Sequence, residues 1–205
     1  MSQAVAVVHL VDDDPSYLKA LSRLLRASEF AVAAFGSATE LLAQLCAASR
    51  GCIVADLNMP GMSGLDLQQE LLQQGLRLPV IFLTGQGDIP SSVLAMRLGA
   101  EDFLEKCAPQ TQLVDAVQRA LTREARDHAQ RSAFDGLTAR ELEVLTHVVR
   151  GRLNKQIAAT LNIHERTVKL HRTAITTKVG VQSVAELTQL AQQAGLLDAY
   201  ALTFP

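Results

Sequence analysis

Four short apolar runs in the first half of the chain each stop at a polar residue: VVHLVDDD at Asp12-Asp13-Asp14, CIVAD at Asp56, VIFLT at Thr84 and DFLEK at Lys106. Runs of this length that end so abruptly read as buried strands delivering side chains to one edge of a sheet. Between them lie amphipathic helical patterns: Tyr17, Leu18, Leu21, Leu24 and Leu25; Leu41, Leu42 and Leu45; Leu65, Leu67, Leu71 and Leu72; Val93, Leu94, Met96 and Leu98. A last pattern follows Pro109 with Leu113, Val114, Val117 and Leu121. With a further run at Ala31–Phe35, strict alternation and short loops predict an α/β fold: a five-stranded parallel sheet with helices on both faces. Asp14-Pro15, Ser37 and Ser63 supply N-cap chemistry at three helix starts.

The carboxyl edge of such a sheet is where ligands bind. Asp12, Asp13 and Asp56 would meet there, and carboxylates that repel one another imply a cation. Oxygen-only donors favour Mg2+. Thr84 can donate to a phosphoryl oxygen and Lys106 can neutralise one as a point charge. Acids at strand ends are, taken singly, most often solvated loop residues. Four polar strand ends in chain order on one edge are not explained that way.

The second half differs. Thr122–Asp135 (TREARDHAQRSAFD) is rich in charge and poor in apolar residues, and reads as a linker over 123–135 that continues the preceding helix. Residues 137–197 show only helical periodicity, predicting a small all-α domain spanning 136–205. Thr138-Ala-Arg-Glu141 and Ser183-Val-Ala-Glu186 have the spacing of capping boxes. Asn154 can cap a short helix ending near Leu161, followed by a turn at Asn162-Ile163-His164 and a second helix to Val179. On that helix Val168, His171, Ile175 and Val179 share the apolar face, with Lys169, Arg172, Thr173 and Thr176 opposite. Two short helices, the second basic and hydroxylated, form the helix-turn-helix layout. Locally Arg140, Arg150, Arg152, Lys155, Arg166, Lys169, Arg172 and Lys178 outnumber Glu141, Glu143, Glu165, Glu186 and Asp198. The whole chain, 205 residues with a net charge of −2, gives no such hint.

Other classes are excluded more simply. The apolar run from Ala4 to Val11 is too short for a signal peptide, and no stretch approaches the roughly 20 apolar residues of a membrane span. Cys46, Cys52 and Cys107 have no metal-binding spacing, and their odd number argues against a disulfide scaffold. A reduced, cytoplasmic protein without a membrane partner is expected.

VDDD, ADLNMPGMSG, LTGQGD and DFLEK, in this order over residues 5–122, resemble the receiver domain of bacterial two-component response regulators. The segments LTARELEVL, NKQIAATLNI and RTVKLHRTAITTKVGV resemble the four-helix DNA-binding domain of the NarL/FixJ (LuxR-type) regulators, nearest the FixJ branch. The first resemblance implies that Asp56 accepts a phosphoryl group from a sensor histidine kinase. It also implies that Asp13, Asp56 and the Asn58 carbonyl hold Mg2+, with Asp12 reaching it through water. Thr84 and Lys106 would contact the phosphoryl oxygens, and Phe103 would be the aromatic switch. The second implies major-groove contacts to double-stranded DNA from Lys169, Leu170, Thr173 and Arg172, phosphate contacts from Lys155 and Thr167, and a homodimer supported by the last helix around Val184–Ala194. The expected function is transcription regulation controlled by phosphorylation, not enzymatic turnover.

Two departures set expectations of their own. The family has proline after the lysine, often in a cis peptide, where this chain has Lys106-Cys107-Ala108-Pro109. A cis bond before cysteine would cost about 2.5–4 kcal/mol, so a trans bond and an altered loop are expected. His164 stands where the family often has a capping serine, predicting a weaker cap. Against the main reading stand a phosphorylation-independent DNA-binding regulator and a Mg2+-dependent phosphatase. Asp12-Asp13-Asp14, Thr84 and Lys106 loosely mimic haloacid-dehalogenase-type phosphatases, but the later acidic pair and the substrate cap of that class are missing.

Overall fold

The structure is a computed structural model and describes residues 5–85 and 89–196. Gln86, Gly87 and Asp88 of the LTGQGD segment, and Asp198, lie outside the described residues. Five strands alternate with five helices: β1 (Val7–Val11), α1 (Pro15–Ala27), β2 (Ala31–Phe35), α2 (Ala38–Gln44), β3 (Gly51–Asp56), α3 (Gly64–Gln73), β4 (Val80–Thr84), α4 (Ile89–Arg97), β5 (Asp102–Glu105) and α5 (Gln110–Ser132). All strand pairs are parallel, in the order β2-β1-β3-β4-β5. Chain connection reverses direction between β1 and β3, the crevice where doubly wound sheets bind ligands.

β3 and β4 are buried along their whole length, because helices cover both faces and no polar face is available. Residue alternation divides the interior. Val8, Leu10, Val54, Ile81 and Leu83 pack with Leu21 and Leu25 of α1 and Leu113, Ala116 and Val117 of α5. Val11, Ile53, Ala55 and Phe82 pack with Leu41 of α2 and with Leu67 and Leu71 of α3. The three expected caps are present: Asp14 accepts from Ser16 and Tyr17, Ser37 from Glu40, and Ser63 forms a reciprocal capping box with Asp66.

α4 departs from its expected face. Val93, Leu94 and Met96 are exposed, Ala95 is wholly buried, and Leu72 of α3 also faces outward. Periodicity marked where apolar residues sit, but the small Ala95 makes the close approach to the sheet.

The chain divides into two compact units, 1–125 and 126–205. α5 continues through the charged segment as far as Ser132, so most of that segment is helix. In the second unit α6 (Ala139–Val149), α7 (Asn154–Leu161), α8 (Glu165–Val179) and α9 (Val184–Gln193) enclose a core of Val144, Val148, Ile157, Val168, Ile175 and Leu187. Phe134, from the charged segment, is buried in that core.

Capping in this unit differs from expectation at two places. Asn154 is the first residue of α7, and the N-cap is Leu153, which has no side-chain oxygen; Gln156 Oε1 accepts from the Leu153 N–H instead. At α9, Ser183 accepts from the Glu186 N–H, but the Glu186 carboxylate turns to the Gln182 N–H, leaving half a capping box. The Thr138–Glu141 box is complete. No described helix is long and apolar enough to cross a membrane.

Candidate functional site

Each strand of the central crevice delivers one polar group. Asp12 follows β1, Asp56 and Thr84 end β3 and β4, and Lys106 follows β5. Asp12, Asp56 and Thr84 are buried, with exposures of 2%, 6% and 0%. One oxygen from each of Asp12, Asp13 and Asp56 falls within a 4.8 Å cluster, with Asp13 the exposed member. Lys106 Nζ donates to Asp12 Oδ2 at 2.6 Å and to Asp56 Oδ2 at 3.1 Å. Burial pulls its pKa down, but the bonds and charges of Asp12 and Asp56 outweigh this and raise it, so the ammonium stays charged. Three carboxylates face one ammonium here. That leaves a net negative pocket of oxygen donors, which suits a divalent cation such as Mg2+.

Local backbone structure fixes these groups. Asp12 Oδ1 accepts from the Asp14 N–H, while Asp14 caps α1 and is committed to that task. Asp56 Oδ1 accepts from the Asn58 N–H at 3.4 Å. Gly64 sits so close that a Cβ would lie 2.5 Å from the Asp56 carbonyl oxygen and 2.9 Å from the Phe82 ring. Lys106 N–H donates to the Thr84 carbonyl at 2.7 Å, and Ala108 N–H to the Glu105 carbonyl at 2.9 Å, which shapes the turn after β5. Among the described residues there is no cis peptide bond, so Lys106-Cys107 is trans as expected. The lysine nevertheless reaches both carboxylates. Phe103 is half-buried on β5 and tilts against Phe82 with ring centroids 6.5 Å apart.

In the helical unit, the exposed stripe of α8 carries Lys169, Leu170 and Thr173, with Leu170 65% exposed. Thr167 is half-buried at the start of α8, and Lys155 is exposed at the start of α7. Arg172 does not share that stripe. It is half-buried, and its guanidinium donates to Asn154 Oδ1 at 2.8 Å, joining α8 to α7. Thr176, expected opposite the core, is half-buried and returns its hydroxyl to the carbonyls of Arg172 and Thr173. His164 caps α8 by position only, with no side-chain bond.

Several side chains have roles that the local sequence motifs do not mark. Arg166 and Thr177 are exposed on the same stripe as Leu170 and Thr173. Their spacing of four, three and four residues would have found them. Tyr17 belongs to an apolar helical pattern, yet its ring centroid lies 4.6 Å from Lys106 Nζ. Glu141 Oε2 accepts from Lys178 at 2.7 Å as well as from Thr138, locking α6 to the end of α8.

The two units have separate counterparts among known families. Residues 8–118 match the response regulator receiver domain, and residues 135–191 match the bacterial regulatory proteins of the luxR family. The chain belongs to the response regulators that join a receiver to a LuxR-type DNA-binding domain. It is 39% identical to response regulator protein TodT of Pseudomonas putida over 200 residues, covering 94% of this chain and 88% of that one. To the transcriptional regulatory protein FixJ of Azorhizobium caulinodans it is 41% identical over 199 residues, covering 94% of each chain. Among solved structures it is similar to response regulator StyR, with a TM-score of 0.61 and 40% identity, covering 93% of this chain and all of that one. The family acts in transcription regulation.

Proposed function

We propose that Asp56 is the phosphoacceptor of this response regulator. The bridging of Asp12 and Asp56 by Lys106, in a carboxylate cluster at the β1/β3 crevice, is the observation that carries the reading. A sensor histidine kinase supplies the phosphoryl group. A carboxylate oxygen of Asp56 attacks phosphorus, an O–P bond forms, and the bond to the donor imidazole nitrogen breaks with its electron pair returning to the ring. Lys106 leaves its carboxylate partners to neutralise one phosphoryl oxygen, and the Thr84 hydroxyl donates to another. Asp13, Asp56 and the Asn58 carbonyl would hold Mg2+, with Asp12 reaching it through water, and the bound ion supplies charge neutralisation at the phosphoryl oxygens. The reading needs no turnover of a small substrate.

Thr84 moving toward the phosphoryl group frees space for Phe103 to turn inward. That rearrangement is passed to α4, whose exposed Val93, Leu94 and Met96 supply an apolar face for a homodimer. Residues 1–122 act as the receiver, 123–135 as a helical linker and 136–205 as the DNA-binding domain, working in the cytoplasm on paired half-sites of double-stranded DNA. Lys169, Leu170 and Thr173 enter the major groove, while Lys155 and Thr167 hold phosphates. Arg172 serves them by fixing α8 against α7.

Incubation of the chain with acetyl phosphate and Mg2+ is expected to add one phosphoryl mass and to strengthen DNA binding. Asp56→Asn is expected to show neither change. No adduct with any donor would overturn the phosphorylation step, and DNA binding unchanged in Asp56→Asn would point to a phosphorylation-independent regulator.

A further inference from the structure

Lysine is a compact charge on a flexible four-carbon stem, and its position must be imposed from outside. At Lys106 two of those constraints are the bonds to Asp12 and Asp56. Both must loosen when a phosphoryl group arrives. The following residue is Cys107, whose backbone no ring restrains. Beside the lysine lies a half-open, mostly apolar cleft of about 130 Å3, lined by Tyr17, Leu21, Leu24, Leu83, Lys106 and Leu113. An unrestrained stem could sink toward that cleft and carry the ammonium off the acceptor.

Tyr17 blocks this. It stands in the first turn of α1, a helix anchored by the Asp14 cap and the buried Leu21 and Leu25. Its ring is half-buried, and Lys106 Nζ lies over it at 4.6 Å from the centroid, within cation–π range. The ring face is a third partner of the ammonium, and the one that phosphorylation does not consume. We infer that Tyr17 is a positioning residue for phosphoryl transfer, its ring face holding the Lys106 ammonium over Asp56. The inference rests on Asp56 being the phosphoacceptor.

The test compares phosphorylation rates of the full chain with acetyl phosphate at saturating Mg2+, read by intact mass, with a thermal midpoint for each variant. Tyr17→Phe keeps the ring face and is expected within about twofold of wild type. Tyr17→Leu keeps apolar bulk without a quadrupole and is expected to slow the rate about three- to tenfold, the range that matches a partly desolvated cation–π contact. Pentafluorophenylalanine at position 17 keeps the ring shape and reverses the quadrupole; it is expected to be as slow as the leucine variant. That pair of rings preserves the comparison even where leucine lowers the midpoint. Equal rates for all three would overturn the inference and leave the proposed function standing. So would a phenylalanine variant as slow as leucine, since the hydroxyl would then be the active feature. A wild-type chain that never gains a phosphoryl group would overturn the proposed function, and this inference with it.

Discussion

Arg50, just before β3, grips Glu124 of α5 through two parallel bonds, Nε to Oε1 at 2.6 Å and a terminal nitrogen to Oε2 at 3.1 Å. The Glu124 side chain is 2% exposed and that of Arg50 17%. The pair fastens α5 beyond its last apolar contacts with the sheet. Removing one partner strands a charge, which for a buried pair costs about 3–5 kcal/mol. Arg50 can reach some water, so Glu124→Ala is expected to destabilise the first unit by about 2–3 kcal/mol. Denaturant unfolding measures this, and Arg50→Met combined with Glu124→Leu should recover most of the loss.

Acid should weaken the helical unit at an identifiable place. The Lys178 ammonium, with the Thr138 N–H and hydroxyl, pulls the Glu141 carboxyl from its ordinary value near 4.5 down to about 2. A carboxyl depressed in the folded state stabilises it fully above the unfolded value, and that contribution fades as pH falls from about 4.5 toward 2. Circular dichroism of the full chain across this window should show Glu141→Gln losing less stability on acidification than wild type. Equal acid sensitivity in both would remove Glu141 from the account.

The three thiols should react in a fixed order. Cys46 is exposed, and its hydrogen bond from Ser49 lowers its pKa. Cys107 is exposed too, but its bond to the Glu105 carboxylate favours the protonated thiol. Burial pushes Cys52 up to about 12. Since the thiolate is the nucleophile, alkylation mapped by mass spectrometry at pH 8 should run Cys46, then Cys107, then Cys52 only on unfolding. Cys107 reacting fastest would show that its environment activates it.

Legibility in the sequence followed the range of each interaction. Strand ends such as Asp56 and Thr84, and caps such as Asp14 and Ser63, depend on neighbours in the chain, so local pattern revealed them. Asp12 meeting Lys106 joins positions 94 apart, and only the strand order implied by the alternation could bring them together. Arg50–Glu124 and Tyr17–Lys106 have no such guide, because a charged residue in a polar segment and a tyrosine on an apolar face look ordinary. Nor could Asn154 be told from a cap, since its pairing with Arg172 depends on how α7 crosses α8. α4 is less legible for another reason: periodicity locates apolar residues such as Val93, Leu94 and Met96, but not whether they face the sheet or the surface.

The Arg172–Asn154 bond separates two kinds of basic residue in the DNA-binding unit. Lys155 is exposed; because it is a proposed phosphate contact, Lys155→Ala should weaken binding to all sequences alike and reduce the salt dependence by about one released counterion. Lys169 is exposed on α8; as it is a proposed major-groove contact, Lys169→Ala should cost about 1–3 kcal/mol at one base position while relaxing the preference there. Arg172→Ala removes an intradomain clamp. It should lower the thermal midpoint of the helical unit and weaken every site, with the salt slope unchanged. Binding titrations on a selected site and its single-base variants, repeated at several salt concentrations, separate the three patterns. If Arg172→Ala lowered the slope by one and left unfolding untouched, the guanidinium would have to leave Asn154 for DNA.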